Sequence, residues 1–199
     1  MTVATPAIVP PEDGWTVFRL PRSHWHCTLA GFQWGEVRPV ALRARVEGFL
    51  AAAAAGEAPH LLLTGDPGIG KTHLGVAAYR AATVWAGTAL AAWCNVPAFC
   101  EAVKRGYGDG DADPWADVEG ARRLVVLDDL LGRDLSAHEA SQIVYRLIDT
   151  VYTNGAACLI TMNQDPRELT ARFPPHELSR LLAGATHAPM TATKDWRRG

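Results

Sequence analysis

The sequence lacks long hydrophobic runs, closely paired cysteines and a marked excess of either charge, and each absence excludes a class of protein. No stretch approaches the length of a membrane-spanning helix, roughly 18 consecutive apolar residues, so we expect no membrane association. The four cysteines have no C-x-x-C spacing, which favours free thiols in a cytoplasmic protein. The formal net charge of −2 excludes attraction of nucleic acid by the overall field of the protein.

The beginning of the sequence is not expected to be a targeting signal. Residues 1–14 contain three prolines and no positive flank before an apolar block, which favours a tail over a signal peptide. The composition is globular, with 48% hydrophobic and 20% charged residues in a chain of 199. We expect an N-terminal tail and lead-in segment over residues 1–38 and one folded domain over residues 39–199.

Three potential metal ligands lie close together at His24, His26 and Cys27. Adjacent residues of an extended segment point to opposite faces, and no second pair elsewhere in the sequence matches them. A metal site is therefore the weaker interpretation of this cluster.

Residues 65–72 read Gly-Asp-Pro-Gly-Ile-Gly-Lys-Thr, a complete G-x-x-x-x-G-K-T phosphate-binding loop. An apolar stretch before it predicts a buried strand, and a helix is predicted after it. Backbone N–H groups of such a turn meet phosphate oxygens, a lysine adds positive charge, and a threonine hydroxyl supplies an oxygen for Mg²⁺. The residues predicted to contact ATP or ADP are Gly65, Asp66, Pro67, Gly68, Ile69, Gly70, Lys71, Thr72 and His73.

A second apolar stretch, Leu124 to Leu127, runs into Asp128 and Asp129, which is a Walker B pattern. A central parallel strand delivers a carboxylate to the edge of the sheet where nucleotides bind. We expect Asp128 to hold Mg²⁺ together with Thr72, and Asp129 to activate the attacking water. Asp129 is shorter than the Glu common at this place, which predicts slower hydrolysis. An ordinary strand followed by a polar turn is the alternative.

Asn163 ends a third predicted strand. An amide at that tip can hold the attacking water or a γ-phosphate oxygen, although asparagine is also a common turn former. The order of phosphate loop, acid pair and amide along the chain favours the catalytic interpretation.

Strands alternate with helices along the chain, which predicts an α/β fold with a parallel sheet and helices on both faces. The predicted helices cover residues 40–55, 71–86, 96–106 and 136–152, with short ones near 166–172 and 176–182. The predicted strands cover residues 60–64, 88–93, 123–128 and 157–162, and residues 107–120 are predicted to be a loop.

The order of these motifs, followed by Leu178-Ser179-Arg180-Leu181, resembles the AAA+ ATPases of the DnaC/DnaI helicase-loader and IstB transposition-helper group. The likeness starts near Leu20 and ends at Lys194-Asp195-Trp196-Arg197, which is similar to the closing strand of that family. It implies a P-loop three-layer sandwich with a parallel central sheet. Because 17 residues follow Leu182, we expect little or no C-terminal helical lid.

The resemblance also implies roles for individual residues. It gives Asn163 the sensor-1 role and Arg180 the role of an arginine finger that reaches the γ-phosphate bound to the neighbouring subunit. It therefore implies ATP hydrolysis with Mg²⁺ in a homo-oligomer whose interfaces ATP bridges. An exposed arginine on an amphipathic helix is the alternative for Arg180, and Arg172 is the second candidate for the finger.

In the resembling family the region after the second strand forms a helical wedge on single-stranded DNA. Lys104 and Arg105 could neutralise phosphates here, and Tyr107 could stack on a base. A solvated helix end explains the two basic residues as well, and the acids at 109, 111 and 113 oppose DNA. The alternative phosphate contacts are Arg122 and Arg123.

Two functions follow from the resemblance. The first is a DnaC-like loader that assembles on single-stranded DNA and on a replicative helicase, with ATP as the switch. The second is an IstB-like transposition helper or an ATP-dependent adaptor with weak hydrolysis. Loaders of this family carry a partner-binding domain ahead of the core, and only about 40 residues precede it here, which leaves the helicase partner open.

Overall fold

The structure, a computed structural model, describes residues 17–18, 20, 22–87, 90–106, 113–132, 137–175, 179, 182, 184–192 and 195–196. Its strands are β1 (Val17–Phe18), β2 (Val37–Arg38), β3 (His60–Thr64), β4 (Ala91–Asn95), β5 (Leu124–Asp128), β6 (Ala157–Met162), β7 (Thr186–Pro189) and β8 (Thr191–Ala192). Its helices are α1 (Leu42–Ala55), α2 (Lys71–Ala86), α3 (Val96–Arg105), α4 (Pro114–Gly120), α5 (Ala137–Asn154) and α6 (Arg167–Arg172).

Six parallel strands form the central sheet, in the order β1-β4-β5-β6-β3-β7. Every residue of β3, β5 and β6 is buried, which fits near-continuous apolar strands covered on both faces. A small antiparallel pair, β2 with β8, lies outside this sheet. The prediction of an α/β fold with a parallel central sheet is confirmed. Because β3, β5 and β6 are neighbours and parallel, their carboxyl ends meet at one edge.

Alternate residues of the strands pack into two separate cores, one on each face of the sheet. Val125 and Leu127 of β5 pack in a core with residues of α3, α4 and α5. Leu124 and Val126 pack in the other core with residues of α1 and α2. Successive side chains of a strand point to opposite faces, so one short strand supports both outer layers. The chain is therefore a three-layer sandwich.

The region after β4 departs from the sequence prediction in two places. Strand β4 covers residues 91–95 instead of 88–93, and Asn95 at its end caps α3 by accepting the N–H of Ala98 at 3.2 Å. The predicted loop over 107–120 contains α4. Asp113 caps this helix by accepting the N–H of Trp115 at 2.9 Å, and Pro114 occupies its first position. The loop prediction was wrong there because this start signal was taken for part of the Gly- and Asp-rich run.

The lead-in segment, residues 22–38, packs on the α1 and α2 side of the sheet. Cys27, Phe32 and Val37 are buried in the same core as α2. The guanidinium of Arg80 on α2 donates from Nη1 to the carbonyls of Trp25 at 2.6 Å and of Cys27 at 3.0 Å. These contacts hold the lead-in segment against α2, and Phe32 lies beside Gly70 of the 65–72 loop.

The end of the chain differs from the closing strand that the resemblance implied. The last two described strands are β7, which pairs with β3, and β8, which pairs with β2. Asp195 and Trp196 are not in a strand, and the N–H of Trp196 donates to the carbonyl of Gly68 in the 65–72 loop at 3.0 Å. Lys194 and Arg197 lie outside the described residues.

All four cysteines are free, as the sequence predicts, and all four are buried. Within the described part of the chain, no group of three or more His, Cys, Asp and Glu side chains is arranged to hold a metal ion. None of the described helices is long and apolar enough to cross a membrane.

Candidate functional site

The 65–72 loop joins β3 to α2 and depends on glycine at its crowded positions. Gly70 precedes α2 with a φ of +97°, and a Cβ there would lie 2.7 Å from the ring of Phe32. Gly68 has a φ of +82°, and a side chain there would collide with the carboxylate of Asp195. Both φ values lie in the left-handed region that side chains other than glycine rarely adopt. The loop is therefore tightly curled and covered from outside by the lead-in segment and by residues 195–196.

Lys71, the first residue of α2, is buried and points into the curl of this loop. Its side chain is 6% exposed, and Nζ donates to the carbonyls of Gly65 and Asp66, both at 2.7 Å. A buried ammonium requires such partners, because transfer of a charge out of water is costly. The predicted cation is thus held where the loop backbone surrounds it.

Asp128 lies at the carboxyl end of β5 and faces Thr72 of α2. It is 4% exposed, and its Oδ1 accepts hydrogen bonds from Thr72 Oγ1 at 3.1 Å and from Thr161 Oγ1 at 2.8 Å. Burial raises the pKa of this carboxyl, while hydrogen bonds from Thr161, Thr72 and Asn95 oppose the rise. Carboxylate and hydroxyl oxygens are hard donors, which Mg²⁺ prefers as ligands. These two lie 3.1 Å apart, so both could contact one ion.

Asp129 follows β5 in a left-handed backbone conformation, with a φ of +58°. Its N–H donates to Thr161 Oγ1 at 3.0 Å, and its Oδ1 accepts from the amide of Asn163 at 3.0 Å. The next N–H, of Leu130, donates to the carbonyl of Thr161 at 3.0 Å. The turn after β5 is thereby tied to the end of β6, and the two residues predicted to handle the attacking water lie in direct contact.

A cavity of about 640 Å³ connects these groups. Lys71, Thr72, Asp128, Asp129 and Asn163 all line it, so the structure brings these five predicted residues together. The lining also includes residues that were not predicted as site residues from the sequence: His24, His26, Phe32 and Gln33 of the lead-in segment, and Trp196. Residues 24–34 are rich in aromatic and imidazole side chains, and this clustering was the sequence signal for their role. They are far from the 65–72 loop along the chain, so the sequence alone did not connect them with the site.

His73 lines the cavity and contacts the lead-in segment. Its Nε2 lies 3.0 Å from the carbonyl of Thr28, and its ring contacts the edge of Phe32 with centroids 5.2 Å apart. Burial lowers the pKa of His73 below its ordinary value, which favours a neutral imidazole at neutral pH. The side chain therefore joins α2 to the lead-in segment.

Two of the residues predicted to contact DNA lie outside the cavity. Lys104 and Arg105 are exposed in the last turn of α3 and do not line the cavity. Arg123 precedes β5, at the opposite edge of the sheet from the cavity, and donates to the carbonyl of Ala54 at 3.0 Å. Tyr107 and Arg180 lie outside the described residues. Arg172 is the last residue of α6.

The fold is similar to that of several proteins of DNA replication. The DnaC helicase loader matches with a TM-score of 0.69 and 19% identity, covering 86% of this chain and 100% of that one. DnaI matches with a TM-score of 0.67 and 17% identity, covering 88% and 96%. The replication initiator DnaA bound to AMPPCP and single-stranded DNA matches with a TM-score of 0.64 and 21% identity, covering 86% of this chain and 51% of DnaA, so this chain spans about half of that protein.

A comparison of sequences completes this result. No curated protein sequence matches the chain. The model of one protein family does match, over residues 18–183, and its description is IstB-like ATP binding protein. The match contains the lead-in segment, the 65–72 loop, the acid pair and Asn163, all of which contribute to the lining of the cavity. The chain therefore belongs to the family of IstB-like ATP binding proteins.

Proposed function

We propose that this protein is an ATP-hydrolysing helicase loader that assembles on single-stranded DNA and on a replicative helicase, with bound ATP as the switch. The observation that carries the proposal is the meeting of Lys71, Thr72, Asp128, Asp129 and Asn163 in one cavity at the carboxyl edge of the sheet. A cation, a pair of hard oxygen donors, a second carboxylate and an amide are the groups that phosphoryl transfer to water requires.

Each of these side chains has a separate role in the proposed reaction. Lys71 places positive charge against the β- and γ-phosphates, and Thr72 and Asp128 would hold Mg²⁺. The metal ion neutralises charge on the phosphates when it is bound. Asp129 accepts a proton from the attacking water as its oxygen bonds to the γ-phosphorus and the bond to ADP breaks. Asn163, whose amide is 3.0 Å from Asp129 Oδ1, orients that carboxylate and the water beside it.

We propose that the site is completed by Arg180 of a neighbouring subunit, so that ATP bridges a homo-oligomer. Turnover per subunit is then expected to rise with protein concentration, and Arg180→Ala is expected to remove this rise while it spares ATP affinity. Mixing Arg180→Ala with Lys71→Ala should recover part of the activity, since each protein keeps the half-site that the other lacks. Phosphate release measured over a concentration series tests this.

The exposed Arg43→Ala on α1 is the control for loss of a surface arginine, and it should keep the wild-type concentration dependence. No recovery at any mixing ratio would contradict sharing between subunits. Loss of the concentration dependence in Arg172→Ala, with Arg180→Ala unaffected, would move the finger to Arg172.

We further propose that ATP-bound subunits align Lys104, Arg105 and Tyr107 along one DNA strand. Lys104 and Arg105 lie together on the surface at the end of α3. Asp113, one of the acids expected to oppose DNA, accepts a hydrogen bond as the cap of α4. DnaA, whose fold is similar, is known with single-stranded DNA bound. Since the net charge is −2, binding requires several such local groups in line.

Single-stranded DNA binding is therefore expected to need AMPPCP and to fall about tenfold or more in a Lys104→Ala, Arg105→Ala, Tyr107→Ala triple variant, because phosphate contacts and base stacking are both removed. Fluorescence anisotropy with a labelled oligonucleotide measures this. The matched control is an Arg122→Ala, Arg123→Ala variant at the opposite edge of the sheet. A fall in the control with an unchanged triple variant would place the DNA site there.

The match to the family of IstB-like ATP binding proteins favours a second candidate, a transposition helper or weakly hydrolysing adaptor. The similarity in fold to the DnaC helicase loader supports the first. Co-sedimentation of the protein with the replicative helicase or with a transposase, each with and without AMPPCP, separates them. Nucleotide-dependent association with the transposase alone would overturn the loader proposal.

A further inference from the structure

Thr161 is a buried hydroxyl residue between the two acids of the candidate site, and it is not among the site residues predicted from the sequence. It is the fifth residue of β6, the strand beside β5, and is 2% exposed. Its Oγ1 donates to Asp128 Oδ1 at 2.8 Å and accepts the N–H of Asp129 at 3.0 Å. One hydroxyl therefore contacts two successive residues of the neighbouring strand end.

These two hydrogen bonds fix each other's direction. A threonine hydroxyl can donate one hydrogen bond, and Thr161 donates it to Asp128. A lone pair of the same oxygen therefore faces the N–H of Asp129. The carboxylate of Asp128 is thus oriented from the β6 side by Thr161 and from the α2 side by Thr72. Hydrogen bonds to a charged group are stronger than those between neutral groups, so the hydroxyl of Thr161 has a substantial effect on that carboxylate.

The second hydrogen bond acts on the backbone of Asp129. Its φ of +58° is uncommon for a residue other than glycine and persists where the surroundings favour it. The hydroxyl of Thr161 satisfies the N–H of Asp129 in that conformation, and the carbonyl of Thr161 satisfies the N–H of Leu130 at 3.0 Å. The same conformation places the Asp129 carboxylate beside the amide of Asn163.

We propose that Thr161 is a positioning residue of the nucleotide site, whose hydroxyl orients Asp128 toward bound Mg²⁺ and holds Asp129 in the turn that presents it to water. The role rests on the proposed function, because it acts through the two acids assigned there. Thr161 touches neither nucleotide nor metal in this role. Its removal changes Mg²⁺-dependent binding and turnover, while the contacts of Lys71 stay in place.

The chain offers a matched control on the adjacent strand β3. Thr64 is 4% exposed, and its Oγ1 lies 2.8 Å from Nε2 of His187. Thr161 and Thr64 are one register position apart across the β3–β6 pair, since Thr64 faces Met162. Replacing either threonine by valine removes one buried hydroxyl and keeps the shape of the side chain, but only Thr161 contacts the acids.

The test is calorimetric ADP binding with and without Mg²⁺, measured for the full chain as wild type, Thr161→Val, Thr161→Ser and Thr64→Val. Wild type is expected to gain affinity when Mg²⁺ is added. In Thr161→Val the gain in ADP affinity on addition of Mg²⁺ should be about tenfold to hundredfold smaller, because a hydrogen bond to a charged group is removed. The metal-free affinity should be unchanged. Thr161→Ser, which retains the hydroxyl, and Thr64→Val should keep the gain within about twofold.

An undiminished gain in Thr161→Val, an equal loss in Thr64→Val, or a loss in folded Thr161→Ser would overturn the positioning role. Thermal unfolding of each variant checks its folding, and Thr161→Ala replaces Thr161→Val if the latter does not fold. Wild type without Mg²⁺-dependent ADP binding would instead overturn the proposed function itself, so the two failures are distinguishable.

Discussion

Lys71→Ala is expected to abolish ATP binding. The Nζ of Lys71 is held at 2.7 Å from two carbonyls of the 65–72 loop, so its charge is fixed inside the curl where the phosphates would lie. In a buried site this charge is screened little by water, and its interaction with a phosphate group is correspondingly strong. Isothermal titration calorimetry of wild type and variant with ATP and Mg²⁺ measures the loss.

The same substitution also removes two hydrogen bonds inside the loop, so folding must be checked separately. Lys71→Met keeps the length of the side chain without its charge and is expected to lose ATP binding equally. Lys104→Ala, an exposed lysine outside the cavity, is the control for loss of one charge and should bind ATP as wild type does. Micromolar ATP affinity in a folded Lys71→Ala variant would contradict the assignment of Lys71.

Asp129→Asn is expected to slow ATP turnover by about 10²- to 10⁴-fold and to spare ATP binding, because a general base is removed and the metal ligands are not. The substitution is well matched to the structure. Asparagine tolerates the left-handed φ of +58° and retains an oxygen that can accept the amide of Asn163. Steady-state phosphate release and ATP calorimetry, measured on the same samples, separate the two effects.

Asp165→Asn makes the same exchange at an exposed position near the end of β6 and should leave turnover unchanged. Wild-type turnover in Asp129→Asn would show that Asp129 is not the base. A parallel loss of binding would instead assign Asp129 to the nucleotide or its metal.

Contiguous patterns carried most of what was predicted correctly. Strand residues 60–64, helix residues 71–86 and strand residues 157–162 agree with the structure, because buried parallel strands are unbroken apolar runs and the loop motif marks the start of its helix. Lys71, Thr72 and the acid pair were selected as candidate site residues for the same reason, since each belongs to a motif of adjacent residues, and they line one cavity. The resemblance indicated the family that the sequence comparison then established.

Local patterns gave poorer results where a capping residue, and not periodicity, decides where an element begins or ends. Helix α4 starts at Asp113 and Pro114, and its buried Trp115 contacts Phe99 with ring centroids 4.8 Å apart. The surrounding Gly- and Asp-rich composition favoured a loop. Packing of Trp115 and Val118 in the core with residues of α3 and α5 stabilises this short helix, because isolated helices of this length do not form in water.

The sequence by itself determined the α/β class, the phosphate loop, the acid pair and Asn163, since each is written in residues that are neighbours along the chain. Tertiary structure alone decided that the hydroxyl of Thr161 would lie between the acids, because that contact depends on β5 and β6 being adjacent and in a particular register. It also decided that Phe32 and Trp196 would line the same cavity as Lys71. Such contacts join segments far apart in sequence, and the packing of the whole core selects them, so no local pattern contains them.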